Sequence, residues 1–135
     1  MNDLRLDRSG LVGNKEQKGI IMSQDGNLDY LELPAPDMAA TKRFYGAVFG
    51  WTFVDYGPDY CEFDAGGRKG GFNGERKVVS GGGALPVLWA NDLDSIEDKV
   101  RAGGAEITER HEFPGGRRFH FRDPNGNEIA VWTRT

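Results

Sequence analysis

Among the titratable residues of this chain, Glu32, Glu62, His111, His120 and Cys61 stand where side-chain chemistry could matter. Glu32 sits inside Leu28–Leu33 (LDYLEL), an alternating run that reads as a β-strand. A carboxylate in an apolar strand is costly unless it meets solvent, a partner or a ligand. Burial that lifts its pKa toward neutrality would make Glu32, or Glu62, a general base. A salt bridge to Arg118, Arg122 or His120 would leave Glu32 structural instead. Cys61 is the only cysteine and has no histidine near it in sequence, so it reads as a buried thiol rather than a nucleophile. His111 and His120 read as solvent-facing or hairpin-packing side chains. The three tryptophans, Trp51, Trp89 and Trp132, serve equally well as interior filling or as the wall of a pocket.

The composition narrows the function classes. With 17 Lys and Arg against 21 Asp and Glu the net charge is −4, which repels phosphate backbones. The short basic run Gly115-Gly-Arg-Arg does not reverse that, and nucleic acid is not an expected partner. No stretch approaches the length of a membrane span, and the first thirty residues hold no apolar core of a secretory leader. The expected compartment is the cytoplasm. At 135 residues the chain has the length of one domain with a real hydrophobic core.

The elements that would position these residues follow from the periodicity. Residues 1–27 hold neither a strand nor a helix period and read as a flexible extension. After the strand at Leu28–Leu33, Asp37 is placed to cap a helix over Met38–Phe49, and Gly50 to end it. Thr41, Phe44, Tyr45 and Val48 fall on one face of that helix. Strands are expected at Trp51–Tyr56, Asp59–Asp64 and Lys69–Asn73. Residues 75–83 read as a linker. The order then repeats: a strand at Ala84–Ala90, a helix capped by Asp92 and ended by Gly103-Gly104, and strands at Ala105–Glu109, Arg117–Arg122 and Glu128–Thr133. Asp123-Pro-Asn-Gly126 is a tight-turn sequence. The fold class is therefore α+β, a domain over 28–133 built from modules 28–74 and 84–133.

Three blocks in this order carry a resemblance. LELPAPDMAATKRFYGAVFGW, WANDLDSIEDKVRAGGAEI and FRDPNGNEIAVW are similar to the two strand–helix units and the closing hairpin of the vicinal oxygen chelate superfamily, which holds glyoxalases, bleomycin resistance proteins and dioxygenases. The resemblance implies two βαβββ modules whose mixed sheets curl into an open cup, and a homodimer. In metal-dependent members the cup holds one divalent ion on side chains from the first and last strands of each module.

The resemblance also supplies a test. Seven residues before each capping Asp, the first-strand ligand positions fall on Tyr30 and Leu85. Six residues after Pro124 the last falls on Ala130, and the remaining one lies near Glu62. Leu and Ala have no lone pair to give, and neutral Tyr is a poor ligand for Zn²⁺ or Ni²⁺. His111 and His120 are expected away from these positions. No metal and no cofactor is therefore expected, which speaks against glyoxalase I and extradiol dioxygenase activity.

Strand alternation then sorts the lining. Tyr30, Glu32, Glu62, Leu85, Val87, Trp89, Glu128, Ala130 and Trp132 face the cup, an aromatic and apolar surface with a few carboxylates. Such a lining suits a small aromatic or cationic compound. The first expectation is a binding protein. The alternative is an enzyme of the same superfamily: a lyase or isomerase with Glu32 or Glu62 as base, or a glyoxalase-like metalloenzyme if the register is shifted. A module that only dimerises is a third reading.

Overall fold

The computed structural model describes residues 24–135. The expected extension 1–27 thus lies almost wholly outside the described residues. Only its end is seen, as a turn closed by Asn27 N–H donating to the carbonyl of Gln24 at 3.1 Å.

The chain runs β1 (Leu31–Pro34), α1 (Met38–Phe49), β2 (Thr52–Asp55), β3 (Tyr60–Asp64), β4 (Lys69–Asn73), then β5 (Val87–Trp89), α2 (Leu93–Ala102), β6 (Glu106–Phe113), β7 (Gly116–Arg122) and β8 (Glu128–Arg134). Two four-stranded mixed sheets result, with orders β1-β4-β3-β2 and β5-β8-β7-β6. In each the first strand pairs parallel with the last, and the remaining ladders are antiparallel. This is the expected βαβββ unit, twice.

Both helices start where a carboxylate satisfies free backbone donors. Asp37 accepts from Ala40 N–H at 3.0 Å and Asp92 from Ser95 N–H at 3.1 Å. Gly50 ends α1 at φ 72°, a left-handed conformation that costs glycine nothing. Thr41, Phe44, Tyr45 and Val48 are the buried stripe of α1, as the spacing predicts. They pack into an aromatic cluster: Trp51 stacks on Tyr45 and on Phe63, each at 4.6 Å between ring centres, and Phe121 of the second module meets Phe44 at 5.6 Å. Each such ring contributes about 2–3 kcal/mol by burial. Among the described residues no helix is long and apolar enough to cross a membrane.

Several strand boundaries differ from the sequence reading. The first strand begins at Leu31 rather than Leu28, because its ladder with β4 starts at Leu31 opposite Gly70. The fifth is only Val87–Trp89, preceded by Pro86, which has no N–H to donate. Trp51 precedes β2 and belongs to the core. Strand β6 runs on to Phe113, well past Glu109, because β7 pairs with it as far as Gly116. Its sequence, EITERHEF, is polar on both faces, so alternation does not announce it.

The two modules are joined by side chains from the turn between β7 and β8. Asp123 accepts from the Tyr45 hydroxyl (2.9 Å), from Asn125 and Asn127 N–H (both 2.9 Å) and from the Asn127 amide (3.0 Å). Asn127 also donates to the Pro34 carbonyl at 2.7 Å. Asn125 accepts from Asp37 N–H at 3.0 Å and donates to Thr41 Oγ1 at 2.8 Å. A turn of the second module thereby closes over the start of the first module's helix. Tyr45 is wholly buried, and burial, followed by the Asp123 charge, raises its phenol well above the usual range.

Candidate functional site

Each sheet has one face against the helices and one turned away, and the second is the face of the cup. The ladders place one row of side chains across the middle of each face, because directly opposed residues point the same way. In the first sheet the row is Glu32, Gly71, Glu62 and Val54. In the second it is Val87, Ala130, His120 and Glu109. Glu32 precedes Asp37 by five residues and Val87 precedes Asp92 by five, so the two rows are equivalent.

This equivalence corrects two readings. The last-strand position of the first module, the counterpart of Ala130, is Gly71 on β4. Glu62 lies one strand further, on β3, where its carboxylate is 3.5 Å from Lys69 Nζ. His120 is not remote from the ligand positions: it stands directly opposite Ala130. Its identity as a cup residue was readable from Phe119 and Phe121, which flank it and go to the core.

Counted as the resemblance implies, with Gly71 taken as the counterpart of Ala130, the four positions at which the family's metalloenzymes hold an ion fall on Tyr30, Gly71, Leu85 and Ala130. A glycine, a leucine and an alanine offer no side-chain donor, and the Tyr30 hydroxyl is engaged with the Tyr60 hydroxyl at 3.0 Å. That donor set does not fit a divalent cation.

In the first module the cup face is polar. Glu32 accepts from the Asn73 amide at 3.2 Å, a partner that the alternative of a salt bridge to Arg118, Arg122 or His120 did not include. The Tyr60 hydroxyl lies over Gly71, where a Cβ would come within 2.0 Å of it, so glycine makes room for the phenol. Partial burial, and then hydrogen bonding with Tyr30 and Glu32, raises the Tyr60 phenol above its ordinary range. Tyr60 therefore stays protonated, as a donor. Cys61, on the opposite face, is buried and its thiol is pushed up by desolvation.

In the second module the face is aromatic and imidazole-bearing. Trp89 and Trp132 meet edge to face at 5.1 Å, and Trp89 is 46 % exposed. The Arg134 guanidinium lies 5.3 Å from the centre of one ring and 5.4 Å from the other. Val87 is also half exposed, Leu85 is partly so, and Ala130 is fully buried. Glu128 accepts from His120 Nδ1 at 2.8 Å. Tyr60, Asn73, Arg134, Glu109 and His111 are cup residues that sequence reasoning did not assign. A separate open groove of about 590 Å³ lies on the helix side, lined by Ala40, Arg43, Ala47, Gly104 and Arg122 among others. It carries none of the candidate side chains.

A model described as Glyoxalase/Bleomycin resistance protein/Dioxygenase superfamily matches residues 27–131. The anthracycline biosynthesis protein DauV of Streptomyces sp. (strain C5) is 28 % identical over 126 residues, which cover 78 % of this chain and 46 % of DauV. The chain therefore spans about half the length of that relative. Among solved structures, the integron cassette protein VPC_CASS1 from the mobile metagenome of V. Pseudocholerae is 28 % identical with a TM-score of 0.61, covering 85 % of this chain and 99 % of that one. The fosfomycin resistance protein FosX of Listeria monocytogenes, solved with Mn(II) and sulfate, has a TM-score of 0.73 at 15 % identity, covering 83 % and 93 %. At that identity the likeness is one of fold.

Proposed function

The chain belongs to the glyoxalase/bleomycin resistance protein/dioxygenase superfamily, and from that premise we propose that its cup binds a small aromatic or cationic organic compound without a metal at the family's four positions. The observation that carries this reading is the exchange made at the cup face. The ligand positions hold Tyr30, Gly71, Leu85 and Ala130, while the neighbouring positions hold the half-exposed Trp89 and the partly buried Trp132 on one side and the Glu32–Tyr60–Asn73 group on the other. Arg134 supports the ligand class, because a planar cation already rests within 5.4 Å of both indole rings. A ligand would displace that guanidinium or stack beside it. Glu32 and the protonated Tyr60, an acceptor and a donor, would orient the ligand's polar end.

The test is a thermal-shift panel of planar aromatic and cationic compounds. Anthracyclines belong in it because DauV is named for their biosynthesis. At one hundred times its Kd a ligand stabilises the fold by about 2.7 kcal/mol, a readily measured rise in Tm. Trp89→Ala should abolish the rise for any compound that produces it. A flat response across the whole panel would sink the reading.

A further inference from the structure

Both histidines of the chain meet on one patch of the second sheet, and what they build there goes beyond the ligand reading and does not depend on it. Strand β6 carries an irregularity between Ile107 and Glu109. Ile107 pairs with the core residue Phe121 and packs inward, so simple alternation would send Glu109 inward as well. The extra residue re-phases the strand. Beyond it Arg110 reaches the helix side, where it donates to Glu97, and Glu109 and His111 turn to the cup. There Glu109 stands opposite His120 on β7.

A carboxylate oxygen of Glu109 and one ring nitrogen from each of His111 and His120 all lie within 4.8 Å of one another. His111 Nε2 and Glu109 Oε1 are 2.7 Å apart and both side chains are about half exposed, so two donors are held together yet remain reachable. His120 supplies the independent observation. It is 4 % exposed, its Nδ1 is taken by Glu128, and its Nε2 has no hydrogen-bond partner among the described residues. A buried ring nitrogen without a partner is costly unless something fills the place beside it. The arrangement in which a carboxylate fixes one nitrogen of an imidazole and frees the other is the usual support for a metal-bound histidine.

We propose that Glu109, His111 and His120 form a three-donor site for one divalent transition-metal ion, with Glu128 orienting His120. Two imidazoles and one carboxylate suit Zn²⁺ or Ni²⁺ rather than Mg²⁺ or Ca²⁺. Three protein donors leave a position open to water or to a ligand in the cup. The site lies on β6 and β7, away from the first and last strands of the modules. The Glu109–His111 hydrogen bond holds the donors ready, and the ion would take the place of the shared proton.

The experiment is calorimetric titration of the full, untagged chain with zinc chloride and with nickel chloride after removal of bound metal by chelator. One ion per chain is expected, with affinity falling as the solution is acidified, since protonated imidazole does not bind metal. His111→Ala and Glu109→Gln alter exposed residues and should weaken binding at least about tenfold, while Glu128→Ala should weaken it about 10- to 100-fold. His120→Asn should abolish binding, and circular dichroism would report whether that variant still folds. In NMR spectra of the wild-type chain, zinc should shift the imidazole signals of both histidines. Absence of saturable one-to-one binding, unchanged affinity in His111→Ala, or a shift of one histidine alone would overturn the site. Because metal is read directly, failure here and failure of the organic-ligand panel are distinguishable.

Discussion

The two modules repeat one backbone plan and diverge at three equivalent places. Across the middle of the cup face, Glu32–Gly71–Glu62–Val54 in the first sheet answers to Val87–Ala130–His120–Glu109 in the second. At the turn before the last strand, Ala65 in the first answers to Asp123 in the second. Between helix and second strand, Lys42–Asp55 answers to Glu97–Arg110, the same ion pair with its charges exchanged. Backbone hydrogen bonds hold both modules to one geometry, while side chains on the open face are free to differ. The result is a cup with a polar, hydroxyl-rich half and an aromatic, imidazole-bearing half. A molecule between them would meet two distinct surfaces.

The closing turns should separate the modules most sharply. The Ala65–Arg68 turn holds itself with Ala65 N–H to the Arg68 carbonyl and Gly67 N–H to Asp64 Oδ1. The Asp123–Asn127 turn instead serves both modules. Asp123→Ala strands the buried Tyr45 hydroxyl and the Asn127 amide, and should cost about 4 kcal/mol in urea unfolding. Asp64→Ala removes an exposed turn bond and should cost no more than about 1 kcal/mol. Equal losses would mean that the turn does not hold the modules together.

Next in size are the paired glycines of β4. Gly70 faces the core, where a Cβ would lie 2.2 Å from the Leu31 carbonyl oxygen and 2.3 Å from the Phe63 ring. Its counterpart in the second module is Ile129, so at this register position the first sheet has bare backbone under the Phe63 ring where the second has a side chain. Gly70→Ala should cost about 3 kcal/mol, since β1 must part from β4 to admit the methyl group. Gly71→Ala meets only side-chain ends, those of Tyr60 at 2.0 Å and Tyr30 at 2.8 Å, which can swing into the cup, and should cost about 1 kcal/mol. Chemical denaturation would order the two. A milder effect at Gly70 than at Gly71 would reverse the assignment of faces.

The helices, their capping aspartates and the repeated strand order were legible because local rules decide them: side-chain caps, glycine at positive φ, and a 3.6-residue stripe that tertiary packing did not override. Cup membership of Glu32 and Trp132 followed from strand alternation. Four features were hidden. The extent of β6 was obscured by a strand polar on both faces, and the facing of Glu109 by a bulge that no residue type announces. The meeting of His111 with His120 depends on pairing between strands, which periodicity within one strand cannot contain. Gly71 was missed as a ligand position because the count from Asp37 fixes β1 but carries no register for β4.

The smallest effect concerns the exchanged ion pairs. Glu97 accepts from Arg101 one turn on and from Arg110 on β6, and the Arg110 hydrogen bond is the main reason its carboxyl sits below the usual 4.5. A carboxyl whose pKa is lower folded than unfolded adds stability above the unfolded value and loses it as pH falls through the folded one. Arg110 is more than half exposed, so solvent screening limits the contribution to about 1 kcal/mol. Glu97→Gln should therefore be less stable than wild type at pH 7, with the gap closing as the pH drops below about 4.5. If polarity is free to differ between the modules, the exchange Glu97→Lys with Arg110→Asp should recover most of what Glu97→Lys alone loses. Failure of the double variant to recover would show that the second module needs Glu97 itself, as the acceptor that draws Arg110 to the helix and leaves Glu109 and His111 facing the cup.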